Sequence, residues 1–163
     1  MIIPTVSRDG FSRKIHMLLD DKDKILQLDS KNMLGSIQLL GKQVEEVLAE
    51  AKKVKIPAAY KKVNNIAVLG MGGSALGTHL IKSVFFGSLK IPVEIVNGYL
   101  APEFVSEKSL VIASSYSGST EEIINAVADA KKRKAKIMAI ASGGKLADWA
   151  KQNKIPALIF TTK

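Results

Sequence analysis

The sequence predicts an α/β fold, in which a doubly wound, mostly parallel, five-stranded sheet follows an N-terminal helical segment. Two observations carry this prediction. Five short runs after residue 60 are apolar throughout, which is typical of strands covered on both faces. Stretches with helical periodicity separate several of these runs, as expected where crossovers link parallel strands. We therefore predict a helical segment over residues 1–60 and an α/β domain over residues 61–163.

The N-terminal segment is predicted to contain one long amphipathic helix. It begins at Asp29 or Ser30, which are residue types that cap helix N-termini, and ends near Lys53, shortly before Pro57. Apolar residues recur three or four positions apart along this stretch, so one face of the helix is apolar. Residues 11–28 are predicted to form a shorter helix and a connector.

The α/β domain is predicted to contain five strands and three helices. The helices lie between the first and second, the third and fourth, and the fourth and fifth strands. The strands are IAVLG (66–70), PVEIV (92–96), LVIAS (110–114), KIMAIA (136–141) and ALIF (157–160), and the helices are SALGTHLIKSVFF (74–86), TEEIINAVADAKK (120–132) and LADWAKQN (146–153).

Composition limits the chemistry that is available. The chain has 163 residues, of which 47% are hydrophobic and 24% charged, as in ordinary globular domains. It has no cysteine, which excludes disulfides, thiolate metal ligands and cysteine nucleophiles and suits the cytoplasm. No apolar stretch approaches the roughly 20 residues that span a bilayer. The first ten residues lack the pattern of a secretory signal, and we expect no membrane partner.

The formal net charge of +9 comes mainly from two lysine-rich segments. These are AKKVKIPAAYKK (51–62) and KKRKAK (131–136), and both fall where predicted helices end. Cations interact favourably with the helix dipole at that position. Neither segment carries a zinc-finger or RNA-binding signature. We therefore expect no nucleic-acid partner, and only a general attraction for anions.

Two loops rich in glycine and hydroxyl groups follow predicted strands and open predicted helices. The first is GMGGSALG (70–77), after the first strand, and the second is SSYSGST (114–120), after the third. In doubly wound folds, ligands bind beyond the carboxyl ends of the strands, and helix N-termini favour anions there. Glycines in the first loop allow close approach to the backbone. The two loops together could therefore surround a phosphate with neutral donors.

Other interpretations of each loop remain open. Ser119 and Glu122 are spaced as a capping box, so the second loop could serve only to cap a helix. GMGGSA also satisfies a loose dinucleotide-binding pattern. That pattern requires an acid at the end of the second strand, whereas Glu94 lies in the middle of PVEIV and Asn97 lies near its end. No Gly-Lys-Ser/Thr follows the glycines, so the Walker pattern is excluded.

The two loops together resemble the SIS (sugar isomerase) domain, and the chain is most similar to the N-terminal SIS domain of bifunctional phosphoglucose/phosphomannose isomerases. The resemblance covers nearly the whole chain after about residue 12 and follows the order of that family. The segments that carry it are LLDDKDKILQLDSKNMLGSI (18–37), NNIAVLGMGGSALG (64–77), SYSGSTEE (115–122) and IASGGKLADWA (140–150).

The resemblance implies a site for the phosphate of a phosphorylated hexose. Ser119 stands where the family usually has asparagine, and Tyr116 lies between two of the hydroxyl positions. The segment from Ser142 to Gly144 would be either a wall of the pocket or a plain turn. The implied phosphate contacts are Gly73, Ser74, Ser115, Ser117 and Thr120, with Gly72, Gly118 and Ser119 as accessory residues.

The resemblance also implies a reaction, the interconversion of glucose 6-phosphate or mannose 6-phosphate with fructose 6-phosphate, without cofactor or metal. The family's catalytic glutamate, histidine and arginine follow the first SIS domain or lie in a second one, so we assign no catalytic residue here. His79 is expected to be packed or on the surface, and Glu121 and Glu122 to be first-turn helix acids. We expect weak phosphosugar binding and negligible isomerisation by these residues alone.

Two further interpretations of the resemblance stay open. The chain could be a regulatory SIS module that senses a phosphosugar without turnover, or part of an aminosugar-forming isomerase. We also expect a partner that covers an exposed face, either a second copy in a homodimer or a second SIS domain.

Overall fold

The structure is a computed structural model that describes residues 21–161. The chain divides into two compact units, one up to Glu46 and one from Val47 onwards, and each is described by itself. The part of the predicted early helix before residue 21 lies outside the described residues. The boundary that we place at residue 60 stays a prediction.

The described part of the first unit, from residue 21 onwards, is mainly helical. Helix α1 spans Lys22–Leu28 and α2 spans Met33–Gln38, and α3, Leu40–Lys53, begins in this unit. The predicted single long helix is therefore wrong, because the chain is interrupted at Leu39 between α2 and α3. Gly35 and Gly41 flank this position, and glycine weakens a helix by about 1 kcal/mol relative to alanine.

The predicted N-cap position is wrong, because Asn32 occupies it instead of Asp29 or Ser30. Asp29 nevertheless bonds to the start of the helix. Its carboxylate accepts hydrogen bonds from the main-chain N–H groups of Met33, at 2.6 Å, and Leu34, at 2.7 Å. These are the first N–H groups of α2, which have no partner within the helix. Asp29 lies three residues before the N-cap, and Asn32, in the left-handed conformation, connects it to the helix.

The second unit confirms every predicted strand and helix of the α/β region to within a few residues. A short 3₁₀ turn, Ala58–Lys61, precedes the sheet. The elements that follow are β1 (Asn65–Gly70), α4 (Gly73–Val84), β2 (Val93–Val96), β3 (Ser109–Ser115), α5 (Glu121–Lys132), β4 (Lys136–Ala141), α6 (Gly144–Gln152) and β5 (Ala157–Ile159).

All five strands are parallel, in the order β2-β1-β3-β4-β5. This is the flavodoxin-like order, so the predicted fold class is confirmed. The order reverses between β1 and β3, and ligand sites in such sheets lie at that switch point. The register pairs Gly70, the last residue of β1, with Ser114 of β3. The two predicted loops therefore leave the sheet side by side.

The core lies mainly on one face of the sheet. Right-handed crossovers place α4 on one face and α5 and α6 on the other. Val111, Ile123, Ile137 and Leu146 are fully buried in a cluster that joins β3 and β4 to α5 and α6. Each such side chain stabilises the fold by about 1.5–3 kcal/mol. Alternate residues of β3 and β4 are only partly buried, so the predicted burial on both faces is incomplete.

Candidate functional site

The first loop brings α4 to the end of β1 through a glycine turn. Gly72 has φ +52° and ψ −124°, a conformation that only glycine adopts readily, and α4 begins at the next residue. No side chain caps this helix. The Gly73 N–H therefore lies in a first turn whose N–H groups have no intrahelical acceptor.

Ser74 joins the first loop to the second. Its Oγ accepts a hydrogen bond of 3.1 Å from the Tyr116 N–H, and its carbonyl accepts one of 3.0 Å from the Ser114 Oγ. Because the Ser74 hydroxyl acts as an acceptor in this contact, its own proton remains able to bind a ligand oxygen. The sequence predicted that the two loops lie at the same end of the sheet, and the structure shows that they are joined by hydrogen bonds.

Within the second loop, Ser115 lies beneath the others. It is only 2% exposed, its Oγ accepts from the Gly118 N–H at 3.1 Å, and it shares a 2.8 Å hydrogen bond with the Thr120 hydroxyl. Ser117 is exposed, and its Oγ accepts from the Ser119 N–H at 3.3 Å. When the Ser115 hydroxyl is the donor in this bond, the Thr120 hydroxyl is the acceptor, and the proton of the Thr120 hydroxyl is then available to a ligand.

The capping-box interpretation of this loop is wrong. Thr120, not Ser119, occupies the N-cap position of α5, and it makes no side-chain cap hydrogen bond because its hydroxyl is bonded to Ser115. Glu121 and Glu122 lie in the first turn of α5, as expected. The hydroxyls of Ser115, Ser117 and Thr120 therefore bond within the loop instead of closing the helix end.

The third strand-end loop packs directly against the second. The Ser142 N–H and Oγ both donate to the Tyr116 carbonyl, at 3.0 and 2.6 Å, and the Leu146 N–H donates to the Gly118 carbonyl at 2.8 Å. Gly118 has φ +66°, and a Cβ there would lie 1.7 Å from the Gly143 carbonyl oxygen. The segment 142–144 is thus a support for the second loop.

Tyr99 is a residue near this site that the sequence analysis missed. The Glu122 and Glu121 carboxylates, with a smaller contribution from burial, raise the pKa of the Tyr99 phenol, so Tyr99 lies near the start of α5. Its side chain is half exposed. The signal in the sequence was its position three residues after the end of β2, at the same edge of the sheet.

The other candidate groups lie elsewhere or have other partners. Glu94 lies mid-strand, and its carboxylate is 3.5 Å from the Lys82 ammonium group, which does not suit a ribose contact. His79 is exposed and lines an open cavity of about 640 Å³ beside α4 and β2, which contains none of the predicted phosphate contacts. Within residues 21–161, no group of three or more histidine or acidic side chains could hold a metal ion.

The fold and these loops define the chain as a doubly wound α/β domain with hydroxyl and N–H donors at its switch point. A family model described as the SIS domain matches residues 59–161, which is more than half of the chain. The chain belongs to the SIS domain family. None of the helices in the described part of the chain is long and apolar enough to cross a membrane.

Individual relatives agree with this assignment. The chain is 38% identical over 121 residues to the bifunctional phosphoglucose/phosphomannose isomerase of Caldicellulosiruptor bescii, which covers 74% of this chain and 36% of that protein. It is also 38% identical over 104 residues to the protein of the same name from Thermoplasma volcanium, covering 63% and 33%. The chain thus spans about a third of the length of these relatives.

Two solved structures share the fold at lower identity. The hypothetical protein TT0462 from Thermus thermophilus aligns with a TM-score of 0.64 and 21% identity, over 94% of this chain and 41% of that one. The Vibrio vulnificus NanR protein, solved in complex with ManNAc-6P, aligns with a TM-score of 0.56 and 16% identity, over 86% and 55%.

Proposed function

We propose that this chain binds the phosphate group of a hexose phosphate between its first and second strand-end loops. The observation that carries the proposal is the set of hydroxyl groups at the switch point, held in place by the loops and not used to cap α5. The donors would be the Gly73 N–H and the hydroxyls of Ser74, Ser117 and Thr120. Buried Ser115 would support Thr120.

We propose further that the chain is the phosphate-binding SIS domain of an aldose–ketose isomerase. The relatives named as bifunctional phosphoglucose/phosphomannose isomerases support this proposal. The reaction would interconvert glucose 6-phosphate or mannose 6-phosphate with fructose 6-phosphate by moving a proton between adjacent carbons. That step requires a general base and a group that stabilises an enediolate. The chain would hold the phosphate while residues outside it transfer the proton, in the cytoplasm.

Titration calorimetry with fructose 6-phosphate tests the binding proposal. Wild-type protein should bind the sugar phosphate, Ser117→Ala and Thr120→Ala should each weaken binding about fivefold or more, and NAD should give no heat. Ser83→Ala, an exposed serine on α4, is the matched control and should bind like wild type. Binding of NAD alone would assign the glycine loop to a dinucleotide. Isomerase activity of the chain by itself would contradict our placement of the proton-transfer groups outside it.

The regulatory alternative predicts the same binding and differs in turnover. The NanR protein, which shares the fold, was solved in complex with ManNAc-6P, and this complex is the reason to test the alternative. The discriminating experiment is an isomerase assay on the complete protein that contains this chain. Conversion of mannose 6-phosphate to fructose 6-phosphate would support the enzyme, and tight binding without conversion would support the sensor.

We propose that a second copy or a second SIS domain covers α4. Leu76, Leu80 and Val84 recur every fourth residue on this helix and are 58%, 59% and 71% exposed, and Phe86 is 85% exposed. Exposed apolar patches of this kind usually mark interfaces. Sedimentation of the chain at rising concentration should show self-association that Leu80→Glu abolishes. A monomer at all concentrations would leave the second SIS domain as the partner.

A further inference from the structure

The main chain of Tyr116 is held from two sides, although the Tyr116 side chain is 63% exposed. On one side, its N–H donates to the Ser74 Oγ at 3.1 Å. On the other side, its carbonyl accepts from both the Ser142 Oγ, at 2.6 Å, and the Ser142 N–H, at 3.0 Å. Ser74 follows β1 and Ser142 follows β4, and β3 lies between these strands in the sheet. The carbonyl therefore points towards the β4 side.

The direction of the Tyr116 carbonyl fixes the direction of the next N–H group. The Tyr116 carbonyl and the Ser117 N–H belong to one planar peptide unit, which is trans, so the two groups point in opposite directions. Because the carbonyl points towards β4, the Ser117 N–H points towards the β1 side, where the glycine loop lies. Among the described residues, the Ser117 N–H has no hydrogen-bond partner. It is an oriented donor that faces the space between the two loops.

We propose that Ser142 is a positioning residue, whose hydroxyl orients the Tyr116–Ser117 peptide so that the Ser117 N–H binds an anionic phosphate oxygen. This inference rests on the proposed function. Ser142 itself does not contact the ligand. Its hydroxyl bond to the carbonyl is supplementary to its main-chain bond, so its removal loosens the peptide without detaching the third loop.

The test compares three variants of the full chain. Ser142→Ala removes only the hydroxyl bond and should raise the Kd for fructose 6-phosphate about three- to tenfold. Ser142→Thr retains a hydroxyl and should restore the Kd to within about twofold of wild type. Ser83→Ala, which alters an exposed serine remote from the loops, should leave the Kd unchanged. Should Ser142→Ala fail to fold, Ser142→Cys keeps the side-chain size with a weaker donor and should give an intermediate Kd.

A second readout needs no ligand. The ¹³C carbonyl resonance of Tyr116 and the ¹⁵N amide resonance of Ser117 should shift in Ser142→Ala and return in Ser142→Thr. An unchanged Kd in Ser142→Ala overturns the positioning role, and so does failure of Ser142→Thr to restore binding. If the wild-type chain binds neither fructose 6-phosphate nor inorganic phosphate, the proposed function fails and the positioning role fails with it. The carbonyl shift then shows whether the hydrogen bond exists as a structural contact only.

Discussion

Gly118→Ala is the substitution that most directly tests the packing of the strand-end loops. Gly118 has φ +66°, and a Cβ there would lie 1.7 Å from the Gly143 carbonyl oxygen and 2.8 Å from the Gly143 carbonyl carbon. Both neighbouring atoms belong to the main chain, so no side-chain rotation can relieve the contact. The third loop would have to retreat by about 1.7 Å to reach the 3.4 Å of an ordinary contact.

The expected cost follows from two contributions. Placing alanine in the left-handed region costs about 1–2 kcal/mol. Retreat of the third loop would also break the Leu146–Gly118 bond of 2.8 Å and weaken the two bonds from Ser142 to the Tyr116 carbonyl. Each such bond contributes about 0.5–1.5 kcal/mol. Together we expect a loss of about 3–4 kcal/mol in the free energy of unfolding.

Urea denaturation followed by far-UV circular dichroism measures this loss. With an m-value of about 1–1.5 kcal/mol/M for a domain of this size, the midpoint should fall by about 2 M or more. Gly77→Ala is the matched control, because Gly77 lies inside α4 and nothing lies within 4 Å of its Cβ position. That change should stabilise the protein by about 0.5–1 kcal/mol. A Gly118→Ala variant within about 1 kcal/mol of wild type would refute the close approach of the two loops.

Three further outcomes follow from single contacts. Ser115→Ala should weaken phosphosugar binding less than Thr120→Ala does, because it removes a support and not a ligand donor; calorimetry that ranks them in the opposite order would assign Ser115 to the ligand. Glu122→Gln should lower the pKa of Tyr99 towards its ordinary value, since the larger charge effect comes from Glu122; an ultraviolet difference titration with no change would contradict their proximity. Asp29→Ala should leave two main-chain N–H groups without their acceptor and reduce the stability of α2 by about 1 kcal/mol, so that its amides exchange about fivefold faster. Unchanged exchange would show that the Asp29 carboxylate does not stabilise the helix.

The strands and the two loops could be predicted because their signals are local. A run that is apolar throughout, a glycine turn and an adjacent helix are each contained within about fifteen residues of sequence. Even the neighbourhood of the loops followed from topology, since parallel strands end at one edge. The register of β1 and β3, which pairs Gly70 with Ser114, is an instance of this.

The wrong or missing predictions concern contacts that tertiary structure decides. Ser119 and Thr120 are both good N-cap residues. Thr120 occupies the N-cap position of α5 because the chain turns at Gly118, where it packs against the third loop. The break at Leu39 has no proline to signal it. For Ser142 the sequence left open a pocket wall or a turn, because its hydrogen-bond partner, the Tyr116 carbonyl, lies 26 residues away in the sequence. Local propensity carries no information about such partners.

The position of the lysine clusters indicates what can and cannot hold an anion in this domain. Lys131 and Lys132 lie in the last turn of α5, whereas the hydroxyl loop lies at its start. Twelve residues at 1.5 Å each separate the two ends by about 18 Å, which is nearly twice the Debye length of about 10 Å at 0.1 M salt. These cations can raise the local concentration of anions at low salt, but screening removes most of their effect on a phosphate at the other end of the helix. At the proposed site, neutral donors should therefore contribute more to the binding free energy than these two lysines do. The Kd for fructose 6-phosphate should then change by less than about threefold between 50 and 200 mM salt. A steeper dependence would mean that lysine side chains contact the phosphate directly.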